Sequence, residues 1–250
     1  MQNRNKRDVF ASFCGIIKNM KKRQITAIIA AGGNGKRLSS RLSKQYLPLN
    51  KKPILIYSIE KFALHDKIRD VVVVVPEEDM QRSRDLIKQH IGTAKNIRLV
   101  AGGQTRQQSV LNGLKQCAAD TEIVLIHDGA RPFVTWQMID DCLEEMEMHR
   151  ACSVGVAAIN TIKQTDEDGK VVKTFDRSTL WEVQTPQCFH FPMIYELHKR
   201  AQENNISVTD DCSLAEIYNI DVKMVKGSYE NIKITVARDL FTAQGIIKTK

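Results

Sequence analysis

Three short segments hold the residues best suited to phosphate chemistry. The first is Ala30-Ala31-Gly32-Gly33-Asn34-Gly35-Lys36-Arg37-Leu38, directly after the apolar run Ile25–Ala30. Glycines after a strand let backbone N–H groups turn toward a phosphate or a base without interference from Cβ. The segment is not a P-loop, because Gly35-Lys36 is followed by Arg37 rather than Ser or Thr, and it is not a dinucleotide fingerprint, because Leu38 stands where a third glycine belongs. Arg37 and then Lys44, in Ser43-Lys44-Gln45-Tyr46-Leu47-Pro48, set two cations beyond the loop. Such charges suit a transferring phosphorus whose negative charge grows during reaction.

The second segment, Gly102-Gly103-Gln104-Thr105-Arg106-Gln107-Gln108-Ser109, again puts glycines between a strand and a helix. N–H groups there favour anions or nucleobase carbonyls. The third is His127-Asp128-Gly129-Ala130-Arg131-Pro132. An acidic side chain at a strand's carboxyl end suits a Mg²⁺–phosphate complex, and Arg131 suits a second phosphate held bidentately. His127 reads as a structural histidine, since attack by an already ionised phosphate requires no proton to be removed. Each segment also has a plainer explanation: a glycine turn, a helix capped near Gln104 or Thr105, an Asp128–Arg131 pair.

The elements that must position these segments alternate. Apolar runs at 25–30, 70–75, 97–100 and 122–126 read as buried strands, and helical spacing marks 53–64, 77–91, 109–118 and 136–149. Alternation of this kind predicts an α/β fold: a mostly parallel, Rossmann-like twisted sheet with helices on both faces and ligands outside the strands' carboxyl ends. The pattern breaks at 160–180, where two β-like runs flank Asp166-Glu167-Asp168-Gly169, the signature of a hairpin projecting as an arm. Helices near 192–203 and 211–218, a strand at 222–225 and a helix from about Ala237 follow. A basic extension over 1–24, expected to be disordered, thus precedes one domain over 25–250 that carries the arm.

The chain has 250 residues, 42% hydrophobic and 26% charged, with a net charge of +8. Most of the excess lies in the extension, where Arg4, Lys6, Arg7, Lys18, Lys21, Lys22 and Arg23 face only Asp8. The rest gives no reason to expect nucleic acid as a partner. Apolar runs are too short to span a membrane. Cys14, Cys117, Cys142, Cys152, Cys188 and Cys212 are scattered without a C-x-x-C pair, which favours a reducing compartment and disfavours a disulfide scaffold or structural zinc site. A cytoplasmic location is expected. The alternative is a plastid or another organelle, with 1–24 as a targeting segment, and the plainer view is a dispensable tail with Met20 as the natural start.

Taken together and in order, the A-G-G-x-G-x-R loop, the Lys44-Gln45-Tyr46 motif and the His127-to-Pro132 motif resemble the 2-C-methyl-D-erythritol 4-phosphate cytidylyltransferases and their ribitol-5-phosphate relatives. The resemblance covers 25–247. It implies transfer of CMP from CTP to a polyol phosphate, with Mg²⁺ or another divalent cation as cofactor. It implies Arg37, Lys44 and Lys233 as catalytic residues, and Ala31, Gly32, Gly33, Gly35, Gly103, Arg106 and Ser109 around CTP. Asp128, Arg131, Thr161, Arg177, Thr185 and Thr209 would meet the acceptor, with Asp128 also at the metal. It further implies a homodimer in which the arm carries Thr161 and Arg177 to the partner's site. Asp176-Arg177 before Leu180-Trp181, and the spacing from Arg37 to Lys44, favour the methylerythritol branch over the ribitol one. A glycosyltransferase of similar topology would want an acidic pair, and a non-catalytic binding module would not need Arg37, Lys44 and Lys233 together.

Overall fold

The computed structural model describes residues 23–32, 43–92 and 96–249. In chain order, β1 (Ile25–Ala30) leads by way of the small β2 (Pro48–Leu49) and β3 (Lys52–Pro53) hairpin to α1 (Ile54–Ala63). Then come β4 (Asp70–Val75), α2 (Met80–His90), β5 (Asn96–Ala101), α3 (Arg106–Leu114), β6 (Ile123–Asp128), α4 (Trp136–Glu145) and β7 (Ala151–Ala157). The arm strands β8 (Lys163–Thr165) and β9 (Val171–Thr174) precede β10 (Trp181–His190), α5 (Phe191–Glu203), α6 (Asp211–Ile217), β11 (Lys223–Lys226) and α7 (Ala237–Lys248).

Seven strands form one sheet in the order β11-β7-β10-β6-β1-β4-β5. β1, β4, β5 and β6 pair in parallel. Because helices cover both faces, their residues are buried in succession and read as unbroken apolar runs. Alternate side chains still serve opposite faces: Val71 and Val73 pack with Leu55, Ile59 and Ile139 of α1 and α4, whereas Val72 and Val74 pack with Val110 of α3 and Ile194 of α5. The parallel sheet with helices on both faces follows the sequence-based expectation.

The other half of the sheet departs from it. β10 runs antiparallel between β6 and β7, and β11 joins β7 in parallel at the edge. Two further boundaries differ. β6 continues through His127 to Asp128, so the carboxylate belongs to the last strand residue and lies level with Ala30 of β1. α3 begins at Arg106, because the Thr105 hydroxyl accepts from the Gln108 N–H at 3.1 Å and caps the helix three residues earlier than expected.

The arm leaves and rejoins the sheet at one place. Ala158 N–H donates to Leu180 O at 2.9 Å, next to the Ala157–Trp181 pair. Gly169, with φ of +81°, takes the left-handed position of the turn, and Lys170 N–H donates to Asp166 Oδ1 at 2.9 Å. Between 159 and 179 no residue is buried, and Phe175 alone is half-buried.

The extension through residue 22 lies outside the described residues, so its expected disorder does too. Arg23 and Gln24, grouped with it by sequence, are tied to the body: Arg23 pairs with Glu147 at 2.7 Å, and Gln24 O accepts from Glu122 N–H at 2.8 Å. Among the described residues no helix is long and apolar enough to cross a membrane.

Candidate active site

Two cavities adjoin the carboxyl ends of β1, β5 and β6. The first, about 500 Å³, is bordered by Gly32, Gly102, Gly103, Gln108 and Asn112. Its floor depends on close backbone approach: a Cβ on Gly102 would lie 3.2 Å from Gly32 Cα, and one on Gly103 would lie 2.7 Å from Gln108 Cβ. The buried Ser109 hydroxyl fixes this corner by accepting from Gly103 N–H at 3.0 Å and donating to Thr105 O at 2.9 Å. Ala31 is held from the other side, where Gln45 Nε2 donates to its carbonyl at 3.0 Å. Gln45 is thus a strut for the glycine loop. The sequence named its motif only for Lys44. Gly33, Gly35 and Arg37 lie outside the described residues.

The second cavity, about 320 Å³, is bordered by Arg106, Asp128, Arg131, Thr185, Thr209 and Lys233. Asp128 is its centre. Lys233 Nζ lies 2.8 Å from Oδ2, Arg106 Nε 3.2 Å from Oδ1, and Arg131 Nε 3.6 Å from Oδ2. Burial alone would raise the Asp128 pKa, but Arg106, Lys233 and Arg131 outweigh it and hold the carboxyl well below the usual range. Arg106, expected beside the nucleotide, sends its guanidinium here instead and also reaches Asp211 Oδ2 at 2.8 Å. Arg131 and Lys233 pair with Asp128, whereas Arg106 is shared with Asp211, and Asp210 also lines the wall. The cations thus balance the nearby carboxylates, and a phosphate would compete with Asp128 for Arg131 and Lys233.

Further residues hold this cluster, and sequence reasoning missed them. Asp211 is buried and accepts from, or pairs with, His198 Nε2 at 3.1 Å, which anchors the far side of Arg106 to α5. Asp210 caps α6 through Ser213 N–H at 2.9 Å and takes Gln187 Nε2 at 2.6 Å. Asn231 Nδ2 donates to Gln184 Oε1 and to Thr185 O, both at 3.1 Å, while its own carbonyl accepts from Arg131 Nη1 at 2.7 Å. The adjacent Thr209-Asp210-Asp211 and the Asn231 of Asn231-Ile232-Lys233 were visible as neighbours of named residues, but nothing local revealed partners across the fold.

Thr185 faces β6. Its hydroxyl accepts from Asp128 N–H at 3.1 Å and lies 2.9 Å from His127 Nδ1. Burial lowers the His127 pKa to about 4, so the ring is neutral, in keeping with a structural role. Lys44 stands near the start of α7. There Asp239 stays low despite burial through hydrogen bonds from Thr235 and Val236 and the Lys44 charge. Thr161 and Arg177 are exposed on the arm and border neither cavity of their own chain, and Arg177 Nη1 donates to Ile159 O at 2.9 Å. For a divalent cation, Asp210 is occupied by its cap, and both oxygens of Asp128 face Arg106, Lys233 and Arg131. Asp128 would therefore serve once substrate phosphates draw those cations away. One carboxylate completed by substrate phosphates is a donor set that magnesium accepts, and Asp128 fits on those terms.

A sequence model of the 2-C-methyl-D-erythritol 4-phosphate cytidylyltransferase family matches residues 25–249. The curated enzyme of that name from Clostridium botulinum (strain 657 / Type Ba4) is 41% identical over 223 residues, which cover 89% of this chain and 97% of the relative. The one from Syntrophus aciditrophicus is 40% identical over 227 residues, covering 91% and 97%. Among solved structures, the 4-diphosphocytidyl-2C-methyl-D-erythritol synthase of Anaerococcus prevotii superposes with a TM-score of 0.83 at 28% identity, covering 91% of this chain and all of that one. The Francisella tularensis cytidylyltransferase superposes at 0.72 with 30% identity, covering 89% and 99%.

Proposed function

This chain belongs to the 2-C-methyl-D-erythritol 4-phosphate cytidylyltransferase family, and on that footing we propose how its two cavities divide the reaction. The protein is a CTP-dependent cytidylyltransferase that forms 4-diphosphocytidyl-2-C-methyl-D-erythritol and pyrophosphate in isoprenoid-precursor synthesis. The glycine-walled cavity takes the cytidine, with Ala31, Gly32 and Gly103 reading the base through backbone groups and Ser109 holding them in place. The cationic cavity takes the acceptor, with Arg131, Thr185 and Thr209 around its phosphate and polyol. Arg106 stands between the two.

An acceptor phosphate oxygen attacks the α-phosphorus of CTP, a P–O bond forms there, and the bond to the β-phosphate oxygen breaks with its electron pair leaving on pyrophosphate. The attacking oxygen is already ionised, so no general base is required. Lys44, Lys233 and the loop cation Arg37 bear on the charge that grows at phosphorus. Asp128, together with the substrate phosphates, would hold a magnesium ion, which would supply charge neutralisation and alignment. The observation that carries this reading is the convergence of Arg106, Arg131 and Lys233 on one deeply ionised Asp128.

Catalysis by a homodimer also belongs to this reading. Thr161 and Arg177 border no cavity of their own chain, and the arm with its base exposes Ile159, Val171, Val172 and Trp181. Reciprocal exchange of arms would cover that apolar surface and deliver both residues to the partner's acceptor cavity. The compartment is the cytoplasm.

Pyrophosphate release is the test. CTP with methylerythritol phosphate should turn over, and ribitol 5-phosphate or UTP and ATP in place of the proper substrates should not. Equal turnover with UTP would remove the backbone reading of cytosine, and equal turnover with ribitol phosphate would remove the acceptor assignment.

A further inference from the structure

The core holds one group of nucleophilic side chains that the transfer reaction does not use. Cys142 on α4, Cys152 on β7 and Cys188 on β10 are far apart in sequence, yet their Sγ atoms lie within 4.8 Å of one another. All three are fully buried, within the apolar cluster that also contains Leu125, Ile139, Met146 and Val154. Among the described residues, no histidine, carboxylate or fourth cysteine completes the group. The scattered cysteines argued against a disulfide scaffold or structural zinc site, and the strand pairing Cys152–Cys188 and the packing of α4 bring three of them together without a fourth ligand.

We propose that Cys142, Cys152 and Cys188 form a three-thiol site for a trivalent thiophilic oxyacid of the arsenite class, held as a tris-thiolate. The geometry suits a three-coordinate centre. Bonds of about 2.3 Å, as in metal–thiolate sites, limit three sulfurs around one centre to a separation of about 4 Å. Pyramidal arsenic(III) with its lone pair draws them closer, so side chains now within 4.8 Å of one another must close in slightly. A structural zinc ion would need a fourth ligand that the group lacks.

Charge selects among the three-coordinate occupants. Zinc or cadmium on three thiolates leaves one net negative charge, and copper(I) leaves two. No cation lies inside this apolar cluster to offset them, and an uncompensated buried charge is heavily penalised. Asp141 beside Cys142 and Glu145 beside Cys152 would both oppose a negative charge at the group. Arsenite avoids the problem. As(OH)₃ and three thiols give As(SR)₃ and three waters: three As–S bonds replace three As–O bonds, and each thiol proton leaves with a hydroxyl. No electrons are transferred and the product is neutral. Cys152 Sγ donates to the Cys142 carbonyl at 3.5 Å, and burial pushes the Cys188 thiol up.

The experiment incubates the reduced full-length protein with sodium arsenite and, separately, with zinc or cadmium chloride. Native mass spectrometry and alkylation mapping after unfolding read the result. One arsenic should load per chain, with a mass gain of one arsenic less three hydrogens, and Cys142, Cys152 and Cys188 should be protected together. Cys117→Ala and Cys212→Ala should load like the parent. Replacing any one of the three by alanine should release arsenic at least about tenfold faster. Loading should be slow and should accelerate in mild denaturant, since α4 must lift to admit the oxyacid. The absence of an adduct even near the melting temperature would overturn the proposal, and so would protection of a different set that includes Cys14, Cys117 or Cys212. Stoichiometric zinc or cadmium uptake without arsenic would overturn the charge argument and with it the ligand class. The mapping uses the unaltered protein, so it stands even where an alanine variant folds poorly.

Discussion

Thr185 Oγ1 lies 2.9 Å from His127 Nδ1, and the far side of the ring fixes the direction of that hydrogen bond. His127 Nε2 lies 3.1 Å from Arg131 O, a carbonyl that can only accept, so the proton sits on Nε2. Nδ1 of the neutral ring must then accept from the Thr185 hydroxyl, which itself accepts from Asp128 N–H. The backbone of two residues bordering the cationic cavity, Asp128 and Arg131, is thus joined through one threonine and one uncharged histidine.

This chain of donors has a pH signature. His127 is lowered to about 4 by burial, against an ordinary value of 6.5. Below 6.5 the unfolded chain takes up a proton that the folded one refuses, so stability falls between about pH 6.5 and 4 by on the order of 3 kcal/mol. Asp128 and Asp211 are held low, so their contribution is lost only as pH falls below the ordinary carboxylate range. Denaturant titrations across pH should show a His127-dependent slope that His127→Gln flattens. Thr185→Val, which leaves two buried partners unsatisfied, should cost roughly 1–3 kcal/mol more than Thr185→Ser. Equal stability of the two Thr185 variants would show that the network carries no energy.

Asp128→Asn removes the counter-charge from Arg131 and Lys233 and one of two from Arg106, which keeps Asp211. Turnover should fall by about 10² or more. The freed cations should bind inorganic pyrophosphate more tightly than in the parent. Calorimetry with pyrophosphate checks this, and weaker binding would mean that Asp128 organises the cations rather than restraining them.

Lys233→Ala and Lys44→Ala should each lower turnover by about 10²–10³ while leaving CTP affinity within a few-fold, because their charges matter most when the phosphorus is five-coordinate. The split between single-turnover rate and equilibrium CTP binding is decisive. A variant that lost affinity and rate in equal measure would be a binding residue.

Mixing inactive Arg177→Ala with inactive Lys233→Ala protein should restore activity once subunits exchange. In the mixed dimer both lesions fall in one site, which leaves the other intact. If exchange is demonstrated by mass spectrometry and activity stays absent, each arm serves its own subunit.

How much of this the sequence disclosed depended on range. Strands β1, β4 and β6 were legible because burial on both faces leaves an unbroken apolar run, and the arm was legible from its Asp166–Gly169 turn. β7 and β10 were not. Ala-Cys-Ser-Val-Gly-Val-Ala lacks the bulky β-branched character of a core strand, and Pro186 argues against a central strand. In the structure Pro186 falls where the β7–β10 register shifts, between Val183 and Gln187, so no ladder bond is asked of it. The cationic site shows the same limit. Asp128 and Arg131 share one segment and were read together, but Arg106 and Lys233 come from distant elements, and the family resemblance alone brought them in. Asp211, His198 and Gln187, whose roles are fixed by partners across the fold, left no local trace.

The arm's attachment bears on how this protein can vary. Its two ends meet at the Ala158–Leu180 hydrogen bond, and nothing between them is buried, so the sheet closes beneath it as though the excursion were a tight turn. Substitutions from 159 to 179, apart from the turn glycine Gly169 and the half-buried Phe175, should therefore cost little in folding, unlike those on either side. Selection for a stable core is silent across this stretch. Residues that natural variation preserves there would report any contact the ribbon makes beyond its own chain, and a survey of tolerated changes along it would trace such a contact.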